Sequence, residues 1–263
     1  MFKPIQLLSL LPRRPGEFLG RVMMIAESRI RITRVARPQY DVIHLDGAVD
    51  LISRKGFGDL QSRFGEQSIL NIEDQVSRGI RELPVDAPFP FMHHGDALLA
   101  RCCYAIVRVL VPNIVVETGV CYGVTSAYLL QALRSNGGGQ LHSLDLPPLG
   151  RHGGDFVGRL VPTENRAQWT LHRGLSGKLL PPLLDRLGPI DMFVHDSLHT
   201  HRTMSREFAL AWPALRPGGV LVADDIEGNT AFQELSRQPD VAFSVVLKET
   251  GKDALLGIAG KKR

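Results

Sequence analysis

The chain has 263 residues, 44% of them hydrophobic and 22% charged, which is ample for a packed core and argues against a disordered chain. No apolar run approaches the roughly 18 residues needed to span a bilayer. The three cysteines, without CxxC spacing, exclude a disulfide framework or a thiolate zinc site and fit a reducing compartment, the cytoplasm by default. The net charge of +4 comes without aromatic residues interleaved among the basic ones, so no nucleic-acid partner is expected.

In chain order, the opening MFKPIQLLSLLPRRPGEFLG has a short apolar stretch, residues 5–11, followed rather than preceded by Arg13 and Arg14. That order, without a small-residue cleavage site, does not make a secretory signal. It suits either plain surface or a short amphipathic element touching a membrane or partner. Arg29, Arg31, Arg34 and Arg37, and the terminal Lys261, Lys262 and Arg263, read as solvated surface, with attraction to nucleic acid or acidic lipid as the sharper alternative. Residues 18–32 and 68–80 have helical apolar spacing, and LPVDAPFPF (83–91), with three prolines, marks a boundary. Residues 1–92 are therefore assigned to a mostly helical extension, a substrate lid or an oligomerisation element, and 93–263 to the main domain.

From residue 96 onward, helix and strand alternate. Strands are expected at 113–117, 140–144, 169–172, 192–194, 220–223, 242–247 and 254–258, and helices at 96–110, 125–134, 178–187, 201–215 and 231–237. Such alternation predicts an α/β fold with a doubly wound, mainly parallel seven-stranded sheet. Only ETGKD separates the last two strands, so they form a hairpin and the final strand runs antiparallel.

The segment 190–226, IDMFVHDSLHTHRT, a helix-like run and RPGGVLVADDI, carries the chemistry. Its two strands end in Asp196 and in Asp224–Asp225, and strands joined by a helical crossover open their carboxyl ends on one sheet edge, where ligands bind. His199 follows Asp196 by three residues. Carboxylates gathered in one volume resist ionising unless a cation joins them, and a hard divalent ion suits an all-oxygen set. His195 at the strand end reads as packed and hydrogen-bonded, and His201 as the start of the next helix. His93 and His94 read as a solvated linker.

At the other end, VVETGVCYGVTSAYLL turns from strand to helix through Gly119 and Gly123. Glycine tolerates positive φ and close approach of a ligand, and the Gly-x-x-x-Gly spacing lacks the dinucleotide fingerprint. Glu117 before the turn can accept from an amino group, and Asp145, closing the next strand about twenty residues on, suits ribose hydroxyls. Acid, glycine turn and second acid point to a nucleoside ligand carrying positive charge.

This order resembles the class I S-adenosylmethionine-dependent methyltransferases, and the antiparallel last strand is typical of their fold. HDSLHTHRTMSREFALAWPALRPGGVLVADDI is similar to a bacterial small-molecule O-methyltransferase subgroup that includes the macrocin-type enzymes and the proteins historically called cephalosporin hydroxylases. It also resembles the catechol O-methyltransferase arrangement. The resemblance covers residues 96–260. It implies that Glu117, Gly119, Gly123 and Asp145 hold S-adenosylmethionine, with Ser126 and Ser176 lining the same cleft. It further implies Asp196, Asp224 and Asp225 as ligands of Mg²⁺, with Asp196 and His199 catalytic and His199 the general base. The expected reaction is methyl transfer to a hydroxyl of a small molecule, a sugar or natural product. Two alternatives stand beside it: a metal-independent methyltransferase relying on His199, and a silent nucleoside-binding or scaffold protein. The glycines of residues 147–162 suggest a mobile lid, and the extension leaves room for a homo-oligomer.

Overall fold

A computed structural model describes residues 4–30, 38–89, 97–150, 152–249 and 251–263. The former Arg31–Arg34–Arg37 positions and His93 and His94 lie outside them. The extension supplies α1 (Pro4–Leu8), α2 (Pro15–Ile30), the two-residue β1 (Val42–Ile43), α3 (Leu45–Ile52) and α4 (Gln67–Arg81). Then follow α5 (Ala97–Leu110), β2 (Ile114–Thr118), α6 (Val124–Ser135), β3 (Gln140–Asp145), β4 (Trp169–Arg173), α7 (Ser176–Leu187) and β5 (Ile190–His195). The chain closes with α8 (His201–Ala214), β6 (Leu215–Ala223), α9 (Ala231–Ser236), β7 (Val241–Lys248) and β8 (Leu255–Lys261).

The seven expected strands form one sheet, and β1 from the extension joins as an eighth, giving the order β1-β7-β8-β6-β5-β2-β3-β4. All neighbours are parallel except β8, which runs antiparallel to both β6 and β7. A two-residue strand escapes sequence reading because so short a run shows no periodicity.

Three layers result. Strand residues alternate between two apolar cores, as the period of two requires. Val115, Met192, Val194, Val220 and Val222 face one side, and Val116, Phe193, Leu221 and Ala223 the other. The first core is roofed by α5 and α6 together with Ile52 of α3 and Ile69, Ile72 and Val76 of α4; α7, α8 and α9 cover the second. The middle of the extension therefore contributes to the main core. Polar ties reinforce this. Arg101 of α5 reaches both carboxylate oxygens of Glu73 at 2.8 Å. Arg108 and Tyr104 donate to Glu66 at 2.7 and 2.6 Å. Burial pushes the Glu66 carboxyl up, but the hydrogen bonds from Arg108, Tyr104 and Arg63 outweigh it and hold it at about 2.

Helix α2 crosses the carboxyl edge of the sheet. Lys178 of α7 donates to Gly16 O (3.0 Å), Arg21 donates to Pro147 O after β3 (2.6 Å), and Glu27 accepts from Thr203 of α8 (3.0 Å) and from Thr200.

Candidate active site

Register brings the candidate residues into one row. Thr118 pairs with His195, His195 with Ala223, and Thr118 with Leu144, so the loops after β2, β5 and β6 and the end of β3 start at one level. Each loop opens with a hydrogen bond to the neighbouring strand: Gly119 N donates to Leu144 O (2.8 Å), Asp196 N to Thr118 O (2.8 Å) and Asp224 N to His195 O (3.0 Å). Asp224–Asp225, Asp196, the glycine turn and Asp145 thus line up across four parallel strands.

At the turn, Glu117 is fully buried; its Oε2 accepts from Ser126 and Ser143, each at 2.6 Å, while its Oε1 is buried without a partner. Burial pushes its carboxyl up to about 7, with the charge of Asp145 adding to the rise and the two serines opposing it. Asp145 Oδ2 accepts from the backbone N–H of Val120 (2.8 Å) and Cys121 (3.0 Å), holding the turn, and burial raises its carboxyl too. Thr125 Oγ1, in the first turn of α6, is likewise buried and unpartnered. Gly119, Gly123, Glu117, Ser126 and Asp145 come together here. Ser176 opens α7 and its hydroxyl bonds Glu207.

Gly119 (φ +86°) has a tighter requirement than ligand approach. A Cβ there would fall 1.8 Å from the Asp196 carbonyl oxygen, so the glycine turn packs directly on the loop that opens with Asp196. Gly123 (φ +88°) backs onto Gly158, whose N–H donates to Cys121 O at 3.0 Å, while Leu160 N–H donates to Tyr122 O at 2.9 Å. The far half of the 147–162 loop is therefore tied to the turn. The near half, with Pro148 and Gly153, faces Arg21 and Met24 of α2 across a cleft of about 790 Å³ that opens beside Leu146, the residue after Asp145. Such a volume suits a nucleoside-sized ligand.

At the acidic end, one ligand atom each from Asp196, His199 and Asp224 lie within 4.8 Å of one another. Asp225 takes a different place. In the left-handed region (φ +50°), which Asp tolerates better than most residues, it sets Oδ2 2.9 Å from His199 Nδ1. His199 Nε2 is 3.7 Å from Asp196 Oδ1. Burial, followed by the charges of Asp224, Glu117, Asp225 and Asp145, pushes Asp196 well above the usual carboxylate range. This is the electrostatic state a cation would relieve. Asn229 donates to His199 O (3.3 Å) and steadies that loop.

His195 is packed, as expected, but its partner was missed. Its Nδ1 lies 2.7 Å from Glu207 Oε2, and both side chains are fully buried. Glu207 also accepts from Thr118 (2.6 Å) and Ser197 (3.1 Å). Burial pushes the Glu207 carboxyl up, but His195, Ser176 and Thr118 more than offset it, and it titrates below its ordinary value. The signal was present: Met204, Glu207, Phe208, Ala211 and Trp212 make one buried helical stripe, and a carboxylate within it demands partners. His201 begins α8 and pairs with Glu234 at 2.9 Å.

Residues 116–226 match the family model described as a methyltransferase domain. A search of curated proteins found no match. Among solved structures, the chain is similar to the O-methyltransferase TomG of Streptomyces achromogenes, involved in tomaymycin synthesis and solved with SAM, at 20% identity and TM-score 0.54. That alignment covers 75% of this chain and 91% of TomG. It is also similar to a putative O-methyltransferase of Klebsiella pneumoniae (18%, TM-score 0.53, covering 76% and 91%). An O-methyltransferase of Bacillus cereus solved with SAH gives 16% and TM-score 0.53, covering 82% and 97%. At these identities the likeness is one of fold. Residues 116–226 thus match a methyltransferase domain, and the eight-stranded α/β architecture is one shared with these solved O-methyltransferases.

Proposed function

We propose that the chain is an S-adenosylmethionine-dependent O-methyltransferase acting on a hydroxyl of a small molecule, a sugar or natural product, assisted by a divalent cation. The observation that carries this is the buried, unpartnered Glu117 Oε1 beside the glycine turn. A carboxylate oxygen that no protein donor satisfies fits the positively charged amino group of S-adenosylmethionine. Asp145, already holding Val120 N and Cys121 N, immediately precedes Leu146 of the cleft wall and would accept from ribose hydroxyls.

Asp196 and Asp224 would hold the cation, with His199 or Asp225 completing the set; Mg²⁺ suits the oxygen donors. Such an ion lowers the pKa of a bound hydroxyl and orients it. The protein would supply position: a row of loops on one sheet edge would hold acceptor and sulfonium methyl together, and alignment of two bound reactants is the largest contribution expected for an in-line displacement. His199 would take the acceptor proton, an effect worth about 10²–10⁴ in rate. The macrocin and cephalosporin-hydroxylase-like subgroup is the proposed relative, by the motif HDSLHTH.

A second reading rests on the His199–Asp225 contact. An aspartate on Nδ1 fixes the imidazole with Nε2 free to accept, which makes a base that needs no metal. Methyl transfer to a panel of hydroxylated sugars and natural products, followed by S-adenosylhomocysteine release with and without EDTA, separates the two. Loss of turnover restored by Mg²⁺ supports the first reading; turnover indifferent to EDTA supports the second. Absence of S-adenosylmethionine binding by calorimetry would remove both and leave the scaffold reading.

A further inference from the structure

The first 38 residues carry eight basic side chains and two acidic ones, whereas the whole chain is only +4, so the remaining residues are net negative. This one segment has a net charge exceeding that of the whole chain. It also displays exposed apolar side chains. On α2, Leu19, Val22, Met23 and Ala26 are exposed at helical spacing, within a stripe about 100° wide. Leu8 and Leu11, in the segment that leads into α2, are exposed as well. Exposed Arg13 and Arg14 stand at one end of the stripe and Arg29 at the other.

The opposite face of α2 is committed to the protein: Arg21 and Met24 line the cleft, and Glu27 is held by Thr200 and Thr203. Both acids of the segment are engaged, Glu17 by Arg21 (2.9 Å) and more loosely by Arg14 (3.5 Å) and Glu27 by α8, which leaves Arg13 and Arg29 beside the apolar stripe with Arg14 largely exposed. We infer that the outer face of α1 and α2 docks on an anionic lipid surface, with the apolar stripe entering the headgroup boundary and the flanking arginines meeting lipid phosphates. Charge favours this occupant over a second copy, because a two-fold contact through this face would bring two strongly basic segments together. The apolar stripe favours lipid over nucleic acid.

The test is flotation of the full chain with vesicles of phosphatidylcholine alone and of phosphatidylcholine with about a quarter phosphatidylglycerol. Binding to the anionic vesicles only, weakened by salt, is expected. Arg13→Gln with Arg14→Gln should weaken it about fivefold per arginine removed. Leu19→Glu with Met23→Glu should abolish it with the melting transition unchanged, because both side chains are exposed. Absence of binding to anionic vesicles, equal binding to both kinds, or binding unaffected by both variants would overturn the proposal. So would a concentration-dependent dimer in sedimentation equilibrium that Leu19→Glu with Met23→Glu dissolves, which would assign the face to a second copy.

Discussion

Glu117 and Asp145, beside the glycine turn, have their carboxylates locked by protein donors: two serine hydroxyls for one and two backbone N–H groups for the other. Asp196, Asp224 and Asp225, at the acidic end, face one another and a histidine. The first arrangement shapes a turn and leaves one oxygen for a ligand. The second gathers three carboxylates around one histidine, an arrangement that a cation or protons would relieve. Parallel strands in register put both on one edge, and Gly119 makes them a single unit by packing against Asp196.

That contact gives the largest expected effect. Gly119→Ala forces a Cβ onto the Asp196 backbone in a left-handed position and should cost about 3 kcal/mol or more in denaturant unfolding. Gly137→Ala, at φ +82° with nothing nearby, should cost about 1 kcal/mol. Equal costs would mean that the two ends are not coupled through this glycine.

Next, the two ends should separate in their readouts. Asp196→Asn and Asp224→Asn should lower methyl transfer about 10²–10⁴-fold while S-adenosylmethionine affinity, measured by calorimetry, stays within a few-fold. Glu117→Gln should do the reverse, weakening cofactor binding about tenfold or more. Affinity lost in the aspartate variants would merge the two ends into one ligand site.

A smaller effect follows from Glu117 titrating at about 7. A raised folded-state value means the protonated form is favoured at low pH, and the cationic cofactor requires the ionised one. Affinity should therefore rise about tenfold between pH 6 and 8 and be flat in Glu117→Gln. A flat wild-type profile would remove Glu117 as the amino-group acceptor.

The smallest effect lies away from the cleft. Glu66, held at about 2 against an ordinary 4.5, contributes stability that is present above the higher value and is lost as pH falls toward the lower one. The thermal midpoint of Glu66→Gln should fall less steeply over that acid range than that of the parent protein.

The sheet was legible because β2, β5 and β6 at its centre hold hydrophobic runs that end in acid or at an acidic residue, and periodicity and spacing are local properties of a chain. The parallel direction, the antiparallel close and the acids at strand ends all follow from connection lengths and element order. The glycine turn, Glu117, Asp145 and the acidic loop could be named for the same reason. Other features depend on contacts between residues far apart in sequence. β1 is a strand only because β7 is beside it. Glu207 is ionised within the core only because Thr118, Ser197 and His195 meet it there. Asp225 bonds His199 rather than joining the nearest ligand cluster because a left-handed backbone turns it. The extension, which showed only two helical patterns in sequence, roofs one core and walls the cleft. Local chemistry is written residue by residue, whereas pairing, burial and the direction of a side chain are settled only when distant segments pack together.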